Sequence, residues 1–229
     1  MNRSKKMLNL SLVEACVLDF DDVVVRGSEA LKHEAWKTVF PEPEHLAIQQ
    51  RWSEHFANGK GSRFDIIQKT LIQLGVPMSG LVLETDNKAK IFNQAVKAGI
   101  IDIGVHSEDR QALEWLCHEG LRPYINSATP QVAIEETIIA LGLHNLVAGV
   151  FGHQSSSSKI DNLRRVAEHA KVMPEKVLFV GDSDGDVRAA GQFGCHFVGI
   201  STNRNQWHEK RPELTFIDNL GQLPLLFKM

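Results

Sequence analysis

The chain has 229 residues, a formal charge of −3, a pI near 6.4, a hydrophobic fraction of 43% and a charged fraction of 23%. Such a length exceeds one average domain and falls short of two independent ones, so a core domain carrying an inserted module is expected. The near-neutral balance gives no bulk attraction to nucleic acid or to an anionic membrane, and the composition is globular rather than disordered.

The N-terminus, up to Glu14, is polar and mixed and reads as a loose extension; it lacks the apolar stretch of a signal peptide, and no later run could span a bilayer. A cytoplasmic location is expected. Cys16, Cys117 and Cys195 lie far apart in apolar contexts, which reads as reduced, buried thiols without a disulfide or zinc site.

The first strand is expected at Ala15 to Leu18, and it runs into Asp19-Phe20-Asp21-Asp22 followed by Val23, Val24 and Val25. Carboxylates crowded at the end of an apolar run repel one another, so one must hold a proton or they must share a cation. An acidic turn after a strand is the simpler alternative. Helical spacing follows: from Ala30 to Phe40, from Glu44 to Phe56, from Arg63 to Leu74 with Ser62 as its cap, and from Leu83 to Lys97, closed by Gly99. This stretch contains no convincing strand and reads as an inserted helical cap, residues 26–98, within a core formed by 1–25 and 99–229.

From Ser107 the signals alternate. A helix to His118 precedes a strand at Leu121 to Asn126, a helix at Pro130 to Leu141, an apolar run at Leu146 to Phe151 and a helix at Lys159 to Lys171. A strand at Lys176 to Val180 empties into Gly181-Asp182-Ser183-Asp184-Gly185-Asp186; a helix from Val187 to Phe193 and strands at His196 to Ile200 and Thr215 to Ile217 complete the chain. The expected fold class is α/β, a Rossmann-like doubly wound parallel sheet, with ligands at the C-terminal ends of its strands.

Four polar stations open onto that edge: Asp19 to Asp22, Ser127-Ala128-Thr129, the loop leading to Lys159, and Asp182 to Asp186. Asp19 and Asp21 alternate onto one side of an extended segment, and Asp182 and Asp186 can add oxygens to the same place, a hard-ligand set suited to Mg²⁺. Helix capping by Asp182 or Ser183, with Asp186 favourably placed against the helix dipole, explains some of these acids but not all. Ser127 before Pro130 suits an anion, and Lys159 at a helix start opposes the dipole. Taken singly, they also read as a helix cap and a solvated surface lysine.

These four stations, in this order and with a helical insertion after the first, resemble the motifs of the haloacid dehalogenase superfamily of phosphohydrolases over nearly the whole chain. The resemblance implies that Asp19 is the nucleophile and forms an aspartyl-phosphate, that Asp21 is the general acid and base, and that Asp19, the Asp21 carbonyl, Asp182 and Asp186 hold Mg²⁺. It assigns the phosphoryl oxygens to Ser127, the following amides from Ala128, and Lys159. Two departures stand out: Asp22 replaces the usual glycine of the first motif, and Ile160 replaces the proline that often follows the lysine.

The insertion is similar to caps of the β-phosphoglucomutase and phosphoglycolate phosphatase branch. Lys60-Gly61-Ser62-Arg63 resembles the mutase cap loop and implies that Arg63 binds substrate, with a solvent-facing first-turn arginine as the alternative. The mutase's acid–base histidine falls at Lys32, one position before His33, which favours hydrolysis over isomerisation. The expected activity is therefore Mg²⁺-dependent hydrolysis of a small phosphorylated metabolite, a sugar phosphate among the candidates. A phosphomutase is the second reading, and a non-catalytic phosphate-binding regulatory protein the third. The helical insertion argues against a receiver-type signalling domain.

Overall fold

The computed structural model describes residues 8–9, 12–56, 62–154 and 157–228. By its contacts the chain divides into a core unit, residues up to Gly27 and from Ile103 onward, and a helical unit, Ser28–Asp102.

The core unit is built on a parallel sheet. In chain order its strands are β2 (Ala15–Leu18), β3 (Tyr124–Pro130), β4 (Gly149–His153), β5 (Val177–Gly181), β6 (His196–Ile200) and β7 (Phe216–Ile217), and their spatial order is β4-β3-β2-β5-β6-β7. The chain adds strands on one side of β2 and then crosses to the other, so the switch point lies between β2 and β5. Doubly wound sheets bind ligands in the crevice opened there. Residues of β2 and β5 are buried throughout, as expected of parallel strands covered on both faces, so the acids beyond them are delivered by the least exposed strands of the sheet.

Helices α5 (Ser107–His118), α6 (Gln131–Ala140), α7 (Lys159–Ala170) and α8 (Asp184–Phe193) connect these strands. On one side, Val17, Phe179, Leu163, Val166 and Ala189 form part of a continuous apolar core. Each fully buried side chain of this size contributes roughly 1.5–3 kcal/mol relative to exposure. Helix α7 therefore has a packing reason to sit over β2 and β3, and its first residue, Lys159, reaches the switch point, where it meets Asp19 and Asp186.

In the helical unit, α1 (Ser28–Val39), α2 (Pro43–Phe56), α3 (Arg63–Gln73) and α4 (Met78–Ile103) pack together, with Trp36 against Phe92 at a centroid separation of 4.5 Å. Ser62 caps α3 as expected, and its hydroxyl and the Asp65 carboxylate form a reciprocal capping box. Gly99, however, does not end its helix. A Cβ at Gly99 would lie 2.8 Å from Leu31 Cδ2, so the glycine serves close packing and α4 continues through it.

Other expectations shift. Described N-terminal residues are not all loose: β1 (Leu8–Asn9) pairs in parallel with β8 (Phe227–Lys228). Helix α8 begins at Asp184, three residues before the apolar run marks it, because a capping box starts it. The strand expected at Leu121 begins at Tyr124, and the one expected at Leu146 begins at Gly149. The cysteines are unpaired, with Cys16 buried and Cys117 and Cys195 half-buried; burial pushes the Cys16 and Cys195 thiols up to about 12, which makes them inert. Among the described residues no helix is long and apolar enough to cross a membrane.

Where the chain leaves and re-enters the core unit, the two crossings run side by side. A Cβ at Gly27, whose φ is +84°, would lie 3.8 Å from Ile103 Cδ1.

Candidate active site

Asp19 follows β2 directly. Its amide donates to the Val180 carbonyl at 2.8 Å, continuing the sheet pairing, and its Oδ1 accepts from the Phe20 amide at 2.7 Å. The following chain turns sharply, with the Val24 and Val25 amides donating to the Phe20 carbonyl at 2.9 and 3.2 Å. This turn buries Val23, Val24 and Val25 and leaves Asp19, Asp21 and Asp22 at 4%, 6% and 9% exposure. Three acids are thus removed from water together.

Beyond β5, Ser183 caps α8, and Asp186 closes the capping box by accepting from the Ser183 amide at 3.0 Å and its hydroxyl at 2.5 Å through Oδ2. The other oxygen, Oδ1, accepts a 2.6 Å bond from Lys159. Capping and site assembly, which the sequence offers as alternatives, are carried by different oxygens of one carboxylate. Gly181 is required for this closeness: a Cβ there would meet Asp186 Cβ and Cγ at 2.6 Å.

Lys159 is the centre of charge compensation. It donates to Asp19 Oδ2 and Asp186 Oδ1 at 2.6 Å each, with its side chain 20% exposed. Burial works to lower the ammonium pKa, but attraction by Asp19 and Asp186 and the two hydrogen bonds raise it overall, so the lysine is held charged. Two buried asparagines, which sequence reading passes over, position it. Asn126 Nδ2 donates to the Lys159 carbonyl at 2.9 Å, and Asn162 Nδ2 donates to Asn126 Oδ1 at 3.0 Å and to the Phe151 carbonyl at 3.1 Å. Ser158 caps α7 with Asp161 in a third capping box, so Ile160 in place of proline costs the helix start nothing visible.

Asp19, Asp182 and Asp186 offer carboxylate oxygens within 4.8 Å of one another, and all three are buried. Burial raises the Asp19 carboxyl well above its ordinary range; Lys159 pulls it down, while Asp186, Asp21 and Asp182 push it further up. Asp182 is pushed up to about 6, by burial first, against the lowering effect of Arg204 and with the charges of Asp186 and Asp22 adding to the rise. Excess buried negative charge and an all-oxygen donor set fit a hard divalent cation, which would stabilise the ionised forms. Asp21 does not belong to this oxygen cluster, although its charge acts on Asp19.

Ser127 lies in β3, next to β2 in the sheet, and the pairing of Leu18 with Ile125 brings Asp19 and Ser127 to the same edge. It is buried at 1% exposure and its Oγ accepts from the Thr129 amide at 3.0 Å, while Ala128 is exposed. Pro130, expected to open the next helix, is its N-cap instead.

Asp22 adopts φ +56°, the conformation in which glycine is usual and aspartate is tolerated with little more than a local hydrogen bond in return. That bond is present, since Oδ1 accepts from the Gly27 amide at 3.0 Å. Its Oδ2 lies 3.5 Å from Arg204 Nη2, which also contacts Asp182 Oδ2 at 2.5 Å. Arg204 is a residue that sequence reading misses, because it sits in a polar loop with no periodic or motif signal.

In the helical unit, Arg63 hydrogen-bonds to Asn93 Oδ1 and lies 5.2 Å from the Phe92 ring centre. It is half-buried against α4 rather than facing solvent. Lys60 and Gly61 of the proposed cap loop lie outside the described residues. Lys32 bonds to Glu29 at 2.5 Å, and His33 is exposed.

A family model for haloacid dehalogenase-like hydrolases matches residues 13–194, and the chain belongs to that family. Among individual proteins it is similar to the phosphoglycolate phosphatase of Escherichia coli K12, with 36% identity over 81 residues, 35% of this chain and 32% of that enzyme's length. The chain thus spans about a third of the curated relative's length in this match. Its fold is similar to that of β-phosphoglucomutase from Clostridium difficile (TM-score 0.67, 17% identity, covering 92% of this chain and 93% of that one). A predicted phosphoglycolate phosphatase of Haemophilus somnus is similar too (TM-score 0.67, 18% identity, covering 94% and 98%).

Proposed function

We propose that this protein is a Mg²⁺-dependent phosphatase that hydrolyses a small phosphorylated metabolite in the cytoplasm. The observation that carries this reading is the buried set of Asp19, Asp182 and Asp186 oxygens with Lys159 lodged against two of them. Family membership supports it.

In this reading an Asp19 oxygen attacks phosphorus, forming an aspartyl-phosphate as the bond to the leaving oxygen breaks, and Asp21 gives that oxygen its proton. Asp21, now ionised, accepts a proton from a water molecule that attacks the aspartyl-phosphate, releasing phosphate and restoring Asp19. Ser127, the Ala128 amide and Lys159 hold the phosphoryl oxygens. Asp19, the Asp21 carbonyl, Asp182 and Asp186 would hold Mg²⁺, which supplies screening between nucleophile and phosphate and offsets developing charge. The helical unit serves as the cap, with Arg63 as a substrate residue.

The placement of Asp186 gives a specific prediction. Gly181→Ala, whose added methyl must push the Asp186 carboxyl away, is expected to lower kcat by about 10²-fold, since misplacement by about 1 Å at a site costs that much. Steady-state kinetics with circular dichroism to verify folding would check it.

The decisive assay is phosphate release from an aryl phosphate and from a panel including phosphoglycolate and sugar phosphates, with Mg²⁺ and with excess chelator. Multiple turnovers that disappear on chelation are expected. Conversion of a sugar 1-phosphate to its 6-phosphate faster than phosphate release would favour a mutase, and no turnover across the panel would favour a non-catalytic phosphate-binding regulatory protein.

A further inference from the structure

We infer that Arg204, seated between Asp22 and Asp182, is a positioning residue that sets how tightly the acidic cluster takes up its divalent cation, and that Asp22 is the carboxylate that receives the guanidinium when it leaves Asp182. This inference rests on the metal reading above.

Of the three clustered carboxylates, Lys159 contacts Asp19 and Asp186. Asp182, whose side chain is 3% exposed, is contacted instead by Arg204 Nη2 at 2.5 Å. Two internal cations, Lys159 and Arg204, therefore stand against the cluster. An incoming cation needs the same Asp182 carboxylate and is repelled by the guanidinium beside it.

Arg204 also has a second seat prepared. The same Nη2 lies 3.5 Å from Asp22 Oδ2, and Asp22 uses its other oxygen to accept from Gly27, which fixes the carboxylate in place. The loop carrying Arg204 is built rather than loose. Asn205 Nδ2 donates to the carbonyls of Asp182 and Ile200 at 2.8 and 2.9 Å, while its Oδ1 accepts from the Thr202 and Trp207 amides at 3.0 and 3.2 Å. Arg204 is thereby tied to the backbone of the residue whose side chain it contacts. Its side chain is half-exposed and borders a cavity of about 330 Å³ that Asp182, Trp207 and Lys210 also line, so it can shift without repacking the core.

The replacement of glycine by Asp22 then has a use in this chain. Aspartate tolerates the positive φ, and in exchange it places a carboxylate where it can hold Arg204 near the cluster without occupying Asp182.

Isothermal titration of chelator-treated protein with MgCl₂ at pH 8, without substrate, tests this. Arg204→Gln is expected to tighten Mg²⁺ binding by about tenfold, within the range that residues supporting metal ligands command. Asp22→Asn is expected to weaken it severalfold, and that weakening is expected to shrink when Arg204→Gln is already present. A residue important only for folding would weaken binding in both variants and show no such coupling. Should Arg204→Gln fail to fold, Arg204→Lys is expected to tighten binding by a smaller factor, because a lysine cannot span both carboxylates. Wild-type binding with unchanged or weakened affinity in the Arg204 variant overturns the inference alone. Absence of Mg²⁺ binding by the wild-type protein at millimolar concentrations overturns the metal reading and this inference with it.

Discussion

Asp19→Asn is expected to reduce phosphate release by on the order of 10⁴-fold while leaving the fold intact. The amide oxygen can still accept from the Phe20 amide, the contact that Asp19 Oδ1 makes at 2.7 Å, so the turn after β2 keeps its geometry. What is lost is the carboxylate proposed as the nucleophile. Asp19 is also a carboxylate whose ionised form is disfavoured by burial and by Asp186, Asp21 and Asp182, and its removal relieves that repulsion. The metal-free variant should therefore melt no lower than the wild type. Residual kcat within tenfold of wild type would remove Asp19 from the nucleophile's role, and a large fall in melting temperature would show that the loss came from misfolding.

Lys159→Ala is expected to have the largest effect on stability, costing the metal-free protein about 3 kcal/mol at pH 8. The lysine touches two buried carboxylates at 2.6 Å, and its removal leaves both uncompensated. The pH dependence has a definite sign. Asp182 takes up protons more readily in the folded protein, at about 6 rather than the ordinary 3.8, with burial as the first cause, and Asp19 shifts in the same direction. Carboxyls of this kind contribute stability that is complete below the unfolded value and is lost as pH rises through the folded one. For Asp182 that difference amounts to about 3 kcal/mol between roughly pH 4 and pH 7. Metal-free Lys159→Ala should accordingly regain stability as the pH is lowered toward about 5.5, and saturating Mg²⁺ should restore part of its stability at pH 8. Urea unfolding with and without Mg²⁺ at both pH values would reveal either response, and a variant as stable as wild type at pH 8 would contradict this account of the charge balance.

What the sequence discloses of the site depends on how locally each residue is specified. Asp19 and Asp182 are legible because each follows an apolar strand, and strand ends at a switch point are set by topology. Lys159 is legible as an oddity, a cation at a helix N-terminus, but its partners come from β2 and α8 and no local pattern names them. Asn126 and Asn162 are hidden: each looks like an ordinary polar residue at the edge of an element, and only tertiary packing turns them inward. Arg204 is hidden for the opposite reason, since an arginine in a polar loop is what solvent exposure alone would predict.

The fold shows the same division. Strand β6 matches its expected range because a short apolar run and Gly194, the C-cap of α8, bound it closely, whereas α4 overruns Gly99 because the demand for close approach by Leu31 comes from another helix. Likewise, the buried Leu220, Leu223 and Leu226 of the C-terminal 3₁₀ segment, Leu220–Leu226, pack against α5 in a spacing that neither a strand nor an α-helix would announce.

The side-by-side crossings at Gly27 and Ile103 bear on the order of folding. Strands β2 and β3 pair through Val17 with Tyr124 and Leu18 with Ile125, although the whole helical unit intervenes in sequence. Left as unfolded chain, that segment would make the pairing the slowest kind to form, a long-range parallel contact. Once the helices have condensed with their ends adjacent, the intervening chain acts as a much shorter tether, and each halving of its effective length returns roughly 0.6 kcal/mol of closure entropy. The strand that leads into Asp19 thus reaches its place beside Ser127's strand most readily after the insertion has folded.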